Sequence, residues 1–146
     1  MNRIQTSALE VAKRYIGMKE IPGTLNSSAI MAMLTLDNDW PKSDEVPWCS
    51  AFVNWIAWNL GIPRSGNLGA RSWLNVGLHV EINDAQPGID VVVLWRVSAN
   101  SEYGHVGFFN DYLAGNVGLV GGNQSDRVNL TYFDKDRILA VRRLTK

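Results

Sequence analysis

A chain of 146 residues that is 46% hydrophobic and 19% charged, with six Trp, has the size of one ordinary domain, residues 1–146, and enough apolar content for a packed core, which excludes an intrinsically disordered protein. Fourteen Lys and Arg balance fourteen Asp and Glu, so the chain lacks the broad cationic field of a protein held on nucleic acid or on an anionic membrane. A single cysteine, Cys49, allows no internal disulfide and no cysteine-based zinc site.

The stretch from Met1 to Gly17 mixes Arg3, Glu10, Lys13 and Arg14 among its apolar residues. It therefore holds no signal-peptide core and no run near the 18 apolar residues of a membrane span. The expectation is synthesis in the cytoplasm, with release by cell lysis or a dedicated export machine. Within this stretch Ala8, Leu9, Ala12, Tyr15 and Ile16 recur at helical spacing behind a cap at Thr6 or Ser7, and Gly17 stops the run. A short Met-rich helix is predicted over Ser28 to Leu36. From Trp48 to Leu60 the sequence is apolar almost all round, which predicts a buried helix. Pro47 suits its first turn, and Gly61 with Pro63 ends it. A further helix is predicted around Leu68 to Val76. Beyond Pro87-Gly88 the pattern changes to short β-rich runs at Val91 to Val97, His105 to Asp111, Val117 to Val120, Val128 to Tyr132 and Ile138 to Arg143. Helices followed by strands joined through Gly, Asn, Asp and Ser predict an α+β fold, with N-terminal helices packed on a five- to six-stranded antiparallel sheet.

Cys49 opens the central helix, where unpaired N–H groups and the helix dipole favour a thiolate. An imidazolium nearby would lower the thiol pKa further, and His105 is the candidate: strand alternation puts His105, Gly107 and Phe109 on one face and Val106 and Phe108 on the other. A neutral amide can orient such an imidazole. Asn123, in Gly121-Gly122-Asn123-Gln124, is of the right type in the right order. Taken singly, a lone cysteine is more often a small buried hydrophobe, a strand histidine more often structural, and Gly-Gly-Asn more often a turn. The three gain weight only together.

The successive blocks Pro47-Trp48-Cys49-Ser50-Ala51-Phe52-Val53-Asn54-Trp55, Ala70-Arg71-Ser72-Trp73-Leu74, Gln86-Pro87-Gly88, Gly104-His105-Val106-Gly107-Phe108 and Gly121-Gly122-Asn123-Gln124 resemble those of the CHAP and NlpC-like cysteine peptidases, and more narrowly a small, often phage- or prophage-encoded group among them. The likeness runs from about residue 5 to 143. It implies a papain-like fold, Cys49 as nucleophile, His105 as base, Asn123 as orienting or oxyanion-assisting group, and cleavage of an amide bond in bacterial peptidoglycan by an endolysin-like enzyme. Two positions depart from the family pattern: Pro87-Gly88-Ile89-Asp90 stands for Pro-Gly-Asp, and Gly121 stands where many CHAP members carry a Glu.

The mechanism so implied is acyl transfer through a thioester, with the Cys49 backbone N–H as one oxyanion donor. Trp48, Trp73, Trp95 and Tyr103 lie in or near segments expected to border the groove, where their rings would stack on sugar or peptide. No cofactor is expected. With only His79 and His105 and no His-Glu-x-x-His spacing, the chain has no catalytic zinc set. The expected partner is peptidoglycan, bound by a monomer, with neither nucleic acid nor membrane involved. The alternative is a non-catalytic wall-binding or phage structural module on the same fold.

Overall fold

A computed structural model describes residues 7–21 and 26–145. Helix α1 (Ala8–Lys13) is capped by Ser7, whose side chain accepts from the Glu10 N–H, and it buries Ala8, Leu9 and Ala12. Thr6, the other candidate cap, lies outside the described residues. The helix ends before Tyr15 and Ile16, and the chain turns through Gly17 at φ 103°. Helix α2 (Ser28–Leu34) is likewise capped, by Ser27.

Helix α3 (Cys49–Leu60) carries the core. Phe52, Val53, Ile56 and Ala57 are fully buried, as the all-round apolar pattern requires. Trp48 is its N-cap residue and gives no side-chain cap. Pro47 thus stands before the helix rather than in its first turn. Gly61 closes the other end at φ 67°, a left-handed conformation that glycine adopts without steric cost. The predicted helix over 68–76 is a 3-10 helix, Ala70–Asn75, that turns Ala70 and Trp73 inward.

Six strands form one antiparallel sheet: β1 (Leu78–Val80), β2 (Asp90–Trp95), β3 (Gly104–Leu113), β4 (Asn116–Gly121), β5 (Asn129–Asp134) and β6 (Ile138–Arg143), in the order β1-β6-β2-β3-β4-β5. Val91, Val93, Val106, Phe108 and Val120 pack with the helices. Val92, Leu94, Phe109, Val117, Leu119 and Val141 form a second cluster. Strand β2 sits between β3 and β6 and is covered on both sides, so its Val-Val-Val-Leu run needs no polar alternation. Asp90, one residue later than the family spacing, is buried and held by the Arg143 guanidinium at 2.7 and 2.9 Å. The register that matters for the site is at the β2–β3 end, where Leu94 faces His105 and Trp95 faces Gly104.

Candidate active site

Cys49 opens α3 and His105 lies on β3, elements that pack against each other. Both are almost fully enclosed, at 5% and 4% exposure. The Cys49 sulfur lies against the backbone N–H of Val106, the residue after His105, and against that of Ser50. One guanidinium, Arg96, bears electrostatically on both groups. Alternation along β3 holds as expected: Val106 and Phe108 join the helix-side core, Phe109 joins the other cluster, and the His105 ring stacks 5.2 Å from Phe133.

The group that orients the imidazole is Gln124. His105 Nε2 lies 2.9 Å from Gln124 Oε1, whereas Asn123 makes no side-chain hydrogen bond among the described residues and lines the cavity beside the ring. This corrects the assignment of the orienting role to Asn123. The physical reason is the turn: Asn123 has φ 57°, as do Ser125 at 57° and Asp126 at 61°. This left-handed path turns residue 124 inward, so that Gln124 is buried.

Gln124 also settles which imidazole nitrogen carries the proton. Its Nε2 amide donates toward Leu119 O, Asn129 O and Asn129 Oδ1 at 3.2, 2.9 and 2.8 Å. Those are all acceptors, so the amide cannot be reversed and Oε1 must face the ring. An acceptor at 2.9 Å requires His105 Nε2 to be the N–H, so Nδ1 carries the lone pair. Asn129 is itself fixed, donating to Gln124 O at 3.0 Å and accepting from Thr131 Oγ1 at 2.6 Å.

Burial decides the charge state of the pair. It pushes the Cys49 thiol above its ordinary value, against the smaller opposing effects of the Val106 and Ser50 N–H groups and Arg96. It pushes His105 down to about 4, a shift that the Gln124 bond opposes and Arg96 and Arg137 reinforce. The helix-end N–H groups expected to lower the thiol pKa are thus outweighed by desolvation, and a neutral His105 supplies no imidazolium to add to them. At neutral pH both groups are uncharged, as thiol and imidazole.

A cleft of about 290 Å³ opens at Cys49, walled by Trp40, Val46, Pro47, Leu68 and Tyr103. Its floor loop is tied to α3: Ser50 Oγ donates to Asn67 O at 2.6 Å and Asn54 Nδ2 to the same oxygen at 3.1 Å. Arg71 ties the opposite wall, donating to Ala99 O, Ser98 O and Tyr103 O at 3.0 to 3.2 Å.

A model of the CHAP domain family matches residues 41–123, more than half of the chain and the segment that holds Cys49 and His105. The chain belongs to the CHAP family. Among solved structures the CHAP chain is similar to NlpC1 from Trichomonas vaginalis, at 19% identity and TM-score 0.59, covering 99% of this chain and 47% of that one. An NlpC/P60 family protein from Bacillus cereus gives 16% identity and TM-score 0.58, covering 96% of this chain and 40% of that one. NlpC2 from T. vaginalis gives 17% and 0.59, with 99% and 49% covered. The α+β fold is therefore the papain-like one of the NlpC/P60 proteins, and the CHAP chain spans less than half the length of each of these. No curated protein matches it.

The departure at Gly121 has a steric basis. A Cβ there would sit 2.6 Å from Gln124 Oε1, so the polar partner that many CHAP members place on this strand arrives here from the following turn. The neighbouring Gly122 explains one of the aromatic residues: a Cβ on it would lie 2.6 Å from the Trp48 ring. Trp48 is fully buried beneath that turn, its Nε1 donating to Glu20 Oε1 at 2.7 Å. Trp73 is also fully buried, donating to Ser50 Oγ at 2.8 Å. Neither ring can meet substrate, which corrects two of the four expected stacking residues. Trp95 is half-buried, with its Nε1 on Asp136 O at 3.1 Å. Tyr103, 60% exposed, does border the Cys49 cleft. Trp40, 57% exposed on the same cleft, escaped the sequence reading because it lies outside every recognisable block. Gln124 escaped because an adjacent amide competes for the same role.

Proposed function

We propose that this CHAP chain is a cysteine-dependent peptidoglycan hydrolase, an amidase or endopeptidase that cuts one amide bond of the bacterial wall. We propose further that it serves as a phage- or prophage-type endolysin, made in the cytoplasm and reaching the wall on release. The observation that carries the catalytic reading is the Gln124 amide, fixed by three acceptors and aimed at His105 Nε2. With Nε2 carrying the proton, the neutral imidazole keeps the Nδ1 lone pair, which in this reading is the base for the Cys49 thiol.

In this reading a wall peptide lies along the cleft at Cys49. The sulfur attacks the amide carbonyl while His105 Nδ1 takes the thiol proton. The oxyanion meets the Cys49 N–H at the start of α3, where no capping side chain competes. His105 then protonates the leaving amine, and water, deprotonated by the same ring, hydrolyses the thioester.

Mass spectrometry of purified walls digested with the chain tests this directly. Products should carry new amino groups, or lactyl carboxyls freed of peptide, with no new reducing sugar ends, because glycoside cleavage runs through an oxocarbenium-like state served by two carboxylates. Thiol alkylation should stop the reaction and EDTA should not. Reducing ends formed by alkylated protein would overturn the proposal, and binding to walls without any cleavage would favour the non-catalytic module.

A further inference from the structure

The groove on either side of the proposed catalytic pair differs in chemistry. On the Cys49 side the walls are Trp40, Val46, Leu68 and Tyr103. On the His105 side a cavity of about 220 Å³ is lined by Arg96, Asn123, Ser125, Thr131, Phe133 and Arg137. Arg96 also lines the space bordered by Pro47, Tyr103 and Gly104, so it stands between the two regions.

Neither arginine is neutralised. The ion pairs among the described residues are Arg64–Asp37, His79–Glu81 and Arg143–Asp90. Arg137 is nonetheless held in place: its Nε donates to Trp95 O at 3.2 Å, and its guanidinium carbon lies 5.4 Å from the Phe133 ring centre and 5.9 Å from that of Trp95. Its terminal nitrogens are left for another acceptor. A positioned guanidinium lining the same cavity as a second, exposed one, with an amide and two hydroxyls around it and no acidic side chain in its lining, is a cationic recess suited to a carboxylate.

Chemistry says which part of the substrate enters it. The imidazole protonates the departing amine, so the leaving-group portion of the chain lies on the His105 side and the acyl portion on the Cys49 side. We infer that Arg96 and Arg137 form a carboxylate subsite for the leaving-group segment, so that this chain selects substrates bearing a free carboxylate within a residue or two after the cleaved bond. This rests on the hydrolase reading above and adds its polarity: an apolar acyl side and an acidic leaving side.

The experiment uses four synthetic muramoyl tetrapeptides of the L-Ala-γ-D-Glu-L-Lys-D-Ala type: one with both carboxylates free, one amidated at the D-Glu α-carboxyl, one amidated at the C-terminus and one amidated at both. Calorimetry measures their binding to the full-length Cys49→Ala chain, and product analysis measures kcat/KM with the unaltered chain. Amidating one of the two carboxylates should weaken binding roughly 5- to 20-fold, the range of one or two charge-assisted bonds at a half-enclosed site. Product masses should place that carboxylate on the leaving side. Raising salt to about 0.5 M should narrow the difference.

Arg96→Gln and Arg137→Gln together should abolish the discrimination. Arg96→Gln alone, at an exposed side chain without hydrogen-bond partners among the described residues, should reduce it in a chain whose folding is unaffected. Equal binding of all four peptides, or discrimination that survives both substitutions, overturns the subsite. Discrimination on the acyl side of the cut overturns the polarity. Discrimination in binding with no turnover of any peptide sinks the hydrolase reading and leaves the subsite standing.

Discussion

Cys49 and His105 are equally buried, yet they are held by opposite means. The sulfur sits at the head of an apolar helix and lies against backbone N–H groups, within the field of Arg96. The imidazole sits at the head of a strand in a chain of side-chain hydrogen bonds that runs through Gln124 and Asn129 to Thr131. The difference teaches which group can be tuned. In the proposed mechanism a thiol this deeply buried stays neutral until its proton is taken, so the reactivity of the pair would be set at the histidine, where neighbours determine tautomer and basicity.

The largest expected effect is at the proposed nucleophile. Cys49→Ala should abolish wall lysis while the far-UV spectrum and melting temperature stay near those of the unaltered chain, since Ala fits the same apolar niche. Measurable lysis by a well-folded Cys49→Ala protein would remove the cysteine from the mechanism. His105→Ala should lower kcat/KM by about 10²–10⁴-fold, the usual range for a general acid–base group. His79→Ala should do nothing, because His79 is exposed on β1 and pairs only with Glu81.

The two neighbouring amides give a sharper contrast. Gln124→Leu removes the acceptor that selects the Nδ1 base and takes the amide donor away from Leu119 O and Asn129 O, so turnover should fall about 10- to 100-fold and stability by about 1–3 kcal/mol. Asn123→Ala should cost less than 3-fold in turnover, roughly, and little in stability. The reverse ranking in the same assays would restore Asn123 to the orienting role.

Proton linkage separates the two burial modes in stability measurements. His105 titrates at about 4 in the folded chain against 6.5 ordinarily. Above pH 6.5 both states are neutral there. Below it the unfolded chain binds a proton that the folded chain refuses, so stability falls as pH drops to about 4. The loss at this one group is on the order of 3 kcal/mol. Urea unfolding at pH 7 and pH 4 measures it, and His105→Gln should remove that part of the slope. The acid limb of kcat/KM should correspondingly lie near 4. A limb near 6.5 would show the ring to be solvated.

The aromatic residues provide the smallest effects on rate. Tyr103→Ala should raise KM a few-fold without changing the melting temperature. Trp48→Ala should lower stability by about 3–5 kcal/mol, as expected for an emptied core position. Equal KM effects with equal melting temperatures would return Trp48 to the substrate groove.

Local chemistry in the sequence determined more of this protein than its length suggests. The apolar run closed by Gly61 defines α3 because hydrocarbon on every side can only be buried. The Val-rich runs define the central strands, and the placing of Cys49 at a helix start and His105 on a strand follows from periodicity alone. Strand β1 was not legible, since three residues with two exposed carry no alternation. Tertiary structure alone decided which amide reaches the imidazole, because the left-handed residues Asn123, Ser125 and Asp126 are types that mark a turn without fixing which side chain it sends inward. It also decided that Trp48 and Trp73 are core and Tyr103 is groove, since an aromatic side chain is equally suited to either until the turn at Gly122 and the hydroxyl of Ser50 close over it. Desolvation likewise belongs to the packed molecule: the helix end that favours a thiolate can be read from the order of residues, but the burial that overrides it exists only once α3 lies on the sheet.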